Sequence, residues 1–214
     1  TNQVNRYFKI GNGRELPVSA PHDFSLTAHV TNRPVLQTFV PALSRMESAD
    51  FSARINSTTG TLDMEGTVPQ IVFMGYNVRK LRLGLSSDSN ALNYSLNLDN
   101  ASSASLQLNK TSLSGKVQNN ELGVNLNIRD VDEKDRYRLL GTLSLDGPQY
   151  RFRFNPEGLL LNYEPWTVSA ENALEFGPDG ILATAFTISR QGQELSLVSE
   201  PQSLNAPLSV RLTN

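Results

Sequence analysis

From Ala91 to Phe154 the chain alternates apolar and polar positions with few interruptions. Leu92, Tyr94, Leu96 and Leu98 are separated by Asn93, Ser95 and Asn97. Ala104, Leu106 and Leu108 follow, and then Leu122, Val124, Leu126 and Ile128. Past an acidic stretch come Tyr137, Leu139, Gly141, Leu143 and Leu145, and after them Tyr150, Phe152 and Phe154. Successive side chains of a strand point to opposite faces, so each run sets one oily face against one polar face. The intervening residues are mostly Asn, Ser, Gln and Arg, which suit water. The pattern predicts one-sided antiparallel strands lying side by side.

The same reading extends in both directions. Val4 to Ile10 is predicted as a strand ended by Gly11-Asn12-Gly13, and Phe24 to Val30 as a second, with Phe24, Leu26, Ala28 and Val30 on one face. Ala49–Asn56 and Thr61–Val68 read as a hairpin about Thr58-Thr59-Gly60, followed by Ile71–Met74 and Asn77–Ser86. In the last of these, Val78, Leu81, Leu83 and Leu85 carry one break in alternation, which marks a bulge. Beyond Phe154, strands are expected at Leu159–Tyr163, Trp166–Val168, Asn172–Phe176, Ile181–Ser189, Glu194–Ser199 and Leu208–Leu212. One helix is predicted, capped by Asn32 with Pro34 in its first turn and an apolar stripe of Leu36, Phe39, Val40 and Leu43. Pro41 removes a backbone donor and should bend or end it.

Closely spaced turns with almost no helix identify an all-β chain. Sixteen or so strands at ~4.8 Å spacing make an open sheet ~70–80 Å long. Twisted open sheets rarely exceed about ten strands without curling. Strand count and spacing leave two architectures open, the first being a long curled antiparallel sheet, a half-pipe with a hydrophobic groove and one short helix. The alternative is a two-sheet β-sandwich whose oily faces cover each other. Residues 1–214 are read as one elongated β-repeat unit, with a possible sub-boundary near 31–48 at the helix. The start at Thr1, without Met, leads to the expectation that this is an internal piece of a longer chain.

Composition narrows the chemistry. A formal net charge of −2 argues against a nucleic-acid partner, which requires a basic stripe to neutralise phosphates. Zero cysteines remove disulfides and thiolate metal sites. The acidic turn Asp130-Val131-Asp132-Glu133-Lys134-Asp135 lacks the glycine and distant Glu of an EF-hand and is flanked by Arg129 and Arg136, so it reads as a solvated hairpin tip. His22 and His29 have no ligand spacing, and no metal site is expected. Nucleophile elbow, phosphate loop and Cys nucleophile are all missing from the sequence, and no catalytic residue or cofactor is assigned. Tyr150, Phe152, Phe154, Tyr163 and Trp166 would suit a sugar-stacking platform. Their spacing on the face of the Leu rows favours core or groove lining instead.

The stretch Asn155-Pro156-Glu157-Gly158-Leu159-Leu160-Leu161-Asn162-Tyr163-Glu164-Pro165-Trp166-Thr167-Val168-Ser169-Ala170-Glu171-Asn172-Ala173-Leu174-Glu175-Phe176 resembles a recurring element of the TamB proteins (translocation and assembly module), in the wider AsmA-like group. The likeness continues through Ile181–Ser189, Gly192–Leu197 and Ala206–Val210, and the strand pairs from Thr61 to Leu85 resemble AsmA-like repeats. The resemblance implies a Gram-negative envelope protein in the periplasm, its parent anchored in the inner membrane. It also implies a taco-shaped β-sheet linked to phospholipid transport and outer-membrane biogenesis, with an Omp85-type outer-membrane barrel as partner through other parts of the chain.

Taken with the strand pattern, the leading expectation is a non-enzymatic conduit for phospholipid acyl chains. Its groove is lined by Leu92, Tyr94, Leu96, Leu98, Leu106, Leu108, Leu122, Val124, Leu126, Ile128, Leu139, Leu143, Leu145, Tyr150, Phe152 and Phe154. A second expectation is a scaffold or chaperone for outer-membrane proteins, pairing clients at sheet edges near Val4 or Val210. A third is a carbohydrate-active β-sandwich enzyme with paired carboxylates.

Overall fold

The alternating runs do form strands, and in a computed structural model of the chain these strands join into one open antiparallel sheet of 16. The structure describes Tyr7, residues 22–146 and residues 148–213. The first part of the chain holds β1 (Asp23–Val30), α1 (Pro34–Phe39), β2 (Leu43–Met46), β3 (Ala49–Asn56), β4 (Thr61–Phe73) and β5 (Tyr76–Ser87). The middle holds β6 (Leu92–Ser102), β7 (Gln107–Gln118), β8 (Glu121–Arg129), β9 (Asp135–Asp146) and β10 (Gln149–Leu161). The last part holds β11 (Glu164–Val168), β12 (Ala173–Gly177), β13 (Gly180–Thr184), β14 (Phe186–Arg190), β15 (Gln193–Ser199) and β16 (Leu208–Thr213). Neighbours follow chain order from β3 to β11, with β1 beside β3 at one margin and β14, β15 and β16 leading to the other. The sandwich alternative does not form: the strands belong to a single sheet.

Register places the apolar residues on one face from margin to margin. Ala28, Phe51, Gly66, Leu83, Leu96, Leu113, Leu126, Leu139, Leu159 and Trp166 stand opposite one another in turn. Nine strand spacings make this row roughly 40 Å long. Another row on the same face runs Leu62, Ser87, Leu92, Val117, Leu122, Leu143 and Phe152. Tyr7 packs against its early members, in a cluster with Leu62, Leu92 and Val117, and so covers that part of the apolar face. The Tyr7 hydroxyl donates to the carbonyl of Asp88, and the Asn120 N–H donates to the Tyr7 carbonyl at 2.9 Å. The rest of the predicted strand Val4–Ile10 and its Gly11-Asn12-Gly13 turn lie outside the described residues.

Several predicted boundaries shift for identifiable reasons. Ile71–Phe73 is the far end of β4 and not a strand of its own, and Met74 lies in the turn that follows. Pro69 is tolerated inside β4 because it falls between the stretch paired with β3 and the stretch paired with β2. The break in β5 sits at Lys80, whose φ is 51° and which is left out of the ladder. Asp99 and Lys110 are unpaired in line with it, so a crease crosses β5, β6 and β7. Ala104 and Leu106 are not strand residues; they belong to the turn between β6 and β7, where the Ser103 N–H bonds the Leu106 carbonyl at 2.8 Å. Leu159–Tyr163 is likewise absorbed: Leu159–Leu161 continues β10 past a bulge between Phe154 and Leu159, and Tyr163 stands in the following turn. Ile181–Ser189 is divided by Ala185 at φ 44°.

The helix is shorter than expected and is capped differently. Arg33, not Asn32, is its N-cap and makes no side-chain cap bond. Val40 is the C-cap, and Leu43 is buried as the first residue of β2. Pro41 ends the helix before its stripe can dock, which leaves Phe39 80% exposed.

At β10 the sheet forks. Its first half pairs with β12 and its second half with β11. Asn172, 1% exposed, fills the gap that neither strand reaches. Its Oδ1 accepts the Phe154 N–H at 2.8 Å, and its Nδ2 donates to the carbonyls of Phe154 at 3.0 Å and Ser169 at 2.7 Å. One side chain thus does for Phe154 what a neighbouring strand does elsewhere. Asn172→Ala is expected to lower the unfolding free energy by about 1–3 kcal/mol in urea titrations and to speed hydrogen exchange at the Phe154 amide. Unchanged exchange at that amide would contradict this account of the fork.

Candidate functional site

The apolar face is bent into a concavity of ≈ 350 Å³ over β3 to β7. Phe51, Met64, Gly66, Leu83, Leu85, Tyr94, Leu96 and Leu113 line it. Its volume lies within the about 300–1,000 Å³ usual for small-molecule sites. Met64 and Leu83 are each 39% exposed, and toward the sheet margins Leu26 reaches 56% and Val210 62%. Large apolar side chains with this much accessible area, aligned in rows, form an exposed surface of the kind that soluble domains ordinarily bury.

On the apolar face aromatic rings are folded down over glycines, and two of these rings, Phe51 and Tyr94, belong to the concavity. Phe51 stands opposite Gly66, and a β-carbon on Gly66 would come within 2.8 Å of its Cδ1. Tyr94 stands opposite Gly115, within 2.8 Å of where a β-carbon would lie, and its hydroxyl donates to the Gly123 carbonyl at 2.9 Å. Phe152 lies over Gly141 in the same manner, at 2.6 Å. A ring that crosses a glycine lies along the sheet; a side chain in place of the glycine would make it stand. Burial pushes the Tyr94 phenol above its ordinary pKa, and the hydroxyl stays protonated as a donor.

Of the residues assigned to the groove, Leu92, Tyr94, Leu96, Leu98, Leu122, Val124, Leu126, Ile128, Leu139, Leu143, Leu145, Tyr150, Phe152 and Phe154 share the parity of the apolar rows. Leu106 does not join them, since it lies in a turn, 41% exposed. Leu108 lies beyond the crease, where the irregularity at Lys110 shifts the numbering by one and Leu108 pairs with the buried Ala101, away from the concavity. Within the set, Leu92, Tyr94, Leu122, Leu145 and Tyr150 belong to or pack against the cluster beside Tyr7. Only Tyr94 and Leu96 line the main concavity. Sequence reasoning had not singled out Phe51, Met64, Gly66, Leu83, Leu85 and Leu113 as lining. The alternation of β3, β4 and β5 carries the signal, and at Gly66 a glycine takes an apolar turn in the pattern.

The aromatic residues do not make a platform. Tyr150 stacks on Phe176 at 5.5 Å, Phe152 meets Phe154 edge-on at 5.0 Å, and Trp166 packs against the cluster of Leu159, Val168 and Ile188. Tyr163 is elsewhere, in the turn after β10, where its hydroxyl donates to Asp130 Oδ2 at 2.8 Å. Asp130 also accepts the backbone N–H groups of Asp132 and Lys134 at 2.9 and 3.0 Å, so the acidic turn is organised by its own first carboxylate. His29 bonds Asp50 across β1 and β3 at 2.7 Å. Among the described residues no group of three or more His, Cys, Asp or Glu is placed to hold a metal ion, and no helix is long and apolar enough to cross a membrane.

The charges collect along the crease. Asp99 accepts from Lys80 at 2.8 Å and lies 3.5 Å from Lys110. The Lys80 hydrogen bond is the main reason the Asp99 carboxyl ionises below its ordinary range. Lys80, Arg82, Lys110 and Arg129 border a polar hollow there, and Asp99, Glu133 and Asp135 already serve three of these cations. Comparison with known proteins returned no matching family model, no matching curated protein and no matching solved structure.

The tie between Asp130 and Tyr163 has a measurable pH signature. The Tyr163 hydrogen bond, followed by the backbone donors, holds the Asp130 carboxyl below its ordinary pKa. Acceptance by Asp130 raises the Tyr163 phenol. A depressed carboxyl stabilises the fold above its unfolded pKa, about 3.9, and loses that contribution as pH falls through the folded value. In carboxyl NMR titrations Asp130 should ionise below the free aspartate value, and Tyr163→Phe should move it back up. An Asp130 midpoint unchanged by Tyr163→Phe would contradict the assignment.

Proposed function

We propose that this chain is a non-enzymatic groove protein whose apolar face receives the acyl chains of phospholipids. The observation that carries the reading is the row from Phe51 to Leu139, continuous in register across the single sheet and concave over β3 to β7, whose large apolar side chains stay exposed or half-buried among the described residues. Each methylene moved from water onto such a surface gains about 0.8 kcal/mol. Neighbouring positions along the row offer similar contacts, so a chain shifts along it without meeting a deep trap. The resemblance of residues 155–176 to TamB and AsmA-like proteins supports the same reading. It adds a place for the activity: the periplasm, in a parent protein anchored in the inner membrane and concerned with outer-membrane biogenesis.

A second reading is favoured by one observation. Among the described residues β16 pairs with β15 alone, and its six side chains are all exposed. An edge of this kind takes an extended client by backbone pairing, as a scaffold for outer-membrane proteins would. Crosslinks from Val210 to a client polypeptide, with no lipid recovered, would favour it over the first.

The groove reading is tested by native mass spectrometry of the purified chain after exposure to phospholipid vesicles. Bound phospholipid is the expected result. Leu96→Asp and Phe152→Asp, each of which puts a charge on the apolar face, should reduce the bound fraction by about ten-fold or more, because an ionised carboxylate resists the loss of water that a bound chain imposes. Lipid binding equal to that of the unaltered chain in both variants would overturn the proposal.

A further inference from the structure

The three glycines under aromatic rings are not equivalent. A β-carbon at Gly115 would sit 1.8 Å from the carbonyl oxygen of Gly123, and one at Gly141 would sit 2.7 Å from that of Arg153. Both positions are held by backbone, and a side chain there displaces a strand. Gly66 differs. Its β-carbon would meet the Phe51 ring at 2.8 and 2.9 Å and the Leu83 β-carbon at 3.6 Å, with no backbone among these nearest atoms. A methyl at Gly66 is therefore compatible with β4 and is answered by one movement, the Phe51 ring turning up from the sheet. The space it turns into is the ≈ 350 Å³ concavity that Phe51, Gly66 and Leu83 all line.

We infer that Gly66 is a specificity residue of the groove, setting its depth by letting Phe51 lie flat, and that the guest it admits is a single hydrocarbon chain laid along Leu83, Leu96 and Leu113. This inference rests on the groove reading and adds to it the position that controls access. The members of the row stand directly opposite one another on successive strands, with Met64, Leu85 and Tyr94 forming one wall beside them. A linear chain can follow such a row in contact with every member. A raised ring over Gly66 stands across the first part of that path and shortens the contact.

The test uses the whole 214-residue chain and cis-parinaric acid, a linear fluorescent fatty acid, titrated to saturation. Each methylene kept off the row costs about four-fold in affinity, so Gly66→Ala should weaken binding by about ten-fold or more. Adding Phe51→Leu, which removes the ring, should restore affinity to within about two-fold of the unaltered chain. If Gly66→Ala binds as the unaltered chain does, Gly66 does not set the depth, and the groove function stands without it. If the unaltered chain does not bind parinarate, the groove function fails and the inference with it. A readout without ligand keeps the two apart and needs no variant. The Gly66 α-protons should be shifted upfield by the Phe51 ring in the proton NMR spectrum, and ordinary shifts there would overturn the inference whatever the binding result.

Discussion

The constraint on which the whole structure depends is the two-residue period of the strand, kept in phase across a single sheet. A slip of one residue in any ladder would carry that strand's leucines to the polar side. The register holds instead from Phe51 on β3 to Trp166 on β11, and the same face continues through Ile188, Leu195 and Leu212 on β14, β15 and β16. In a sandwich a second sheet would enforce this phase by packing on it. Here the ladders themselves must do so, together with two local clusters: the one beside Tyr7 and the one around Leu159, Val168 and Ile188.

Irregularities in the sheet fall where they leave that phase intact. Positive φ at Lys80 and Lys110 opens the ladder in one line, and the residues left out of pairing are charged and bonded to one another through Asp99. The fork at β10 is closed by Asn172, whose amide group matches the donor and acceptor of Phe154. The glycines at 66, 115 and 141 let rings lie along the sheet, so aromatic area is added to the apolar face without standing up from it. Each device solves a different geometric problem of a long sheet, and none spends an apolar side chain on covering the face.

Much of this was legible in the sequence, because period-two alternation is a strong signal over strands of eight to thirteen residues. Most strands from Ala49 to Phe154, their antiparallel order, the break near Lys80 and the membership of Leu96, Leu126 and Leu139 in one face followed from spacing alone; β7 did not, because Lys110 to Gly115 holds one apolar residue, Leu113, and shows no alternation. What failed was local competition. Ala104 and Leu106 continued the alternation by eye, but the Ser103–Leu106 turn claims them, since Ser103 Oγ accepts the Leu106 N–H at 3.2 Å. The helical stripe from Leu36 to Leu43 was real as a pattern and was cut by Pro41 before it could be used. The choice between an open and a covered face could not be read at all: a sandwich and a single sheet require the same alternation, and only the long-range pairing separates them. Gly66 was hidden for a related reason, since a glycine shows no preference for either face until its partner Phe51 is known.

An apolar row accessible along much of a sheet calls for an occupant of matching chemistry, and a hydrocarbon chain is the one proposed here. The most direct measurement is paramagnetic broadening of leucine methyl resonances by a fatty acid carrying a nitroxide on its chain. The account predicts strong broadening at Leu83, Leu96, Leu113 and Leu126, with the polar-face side chains of Asn93 and Asn125 left sharp. Uniform broadening of both faces, or none on the leucine row, would contradict it.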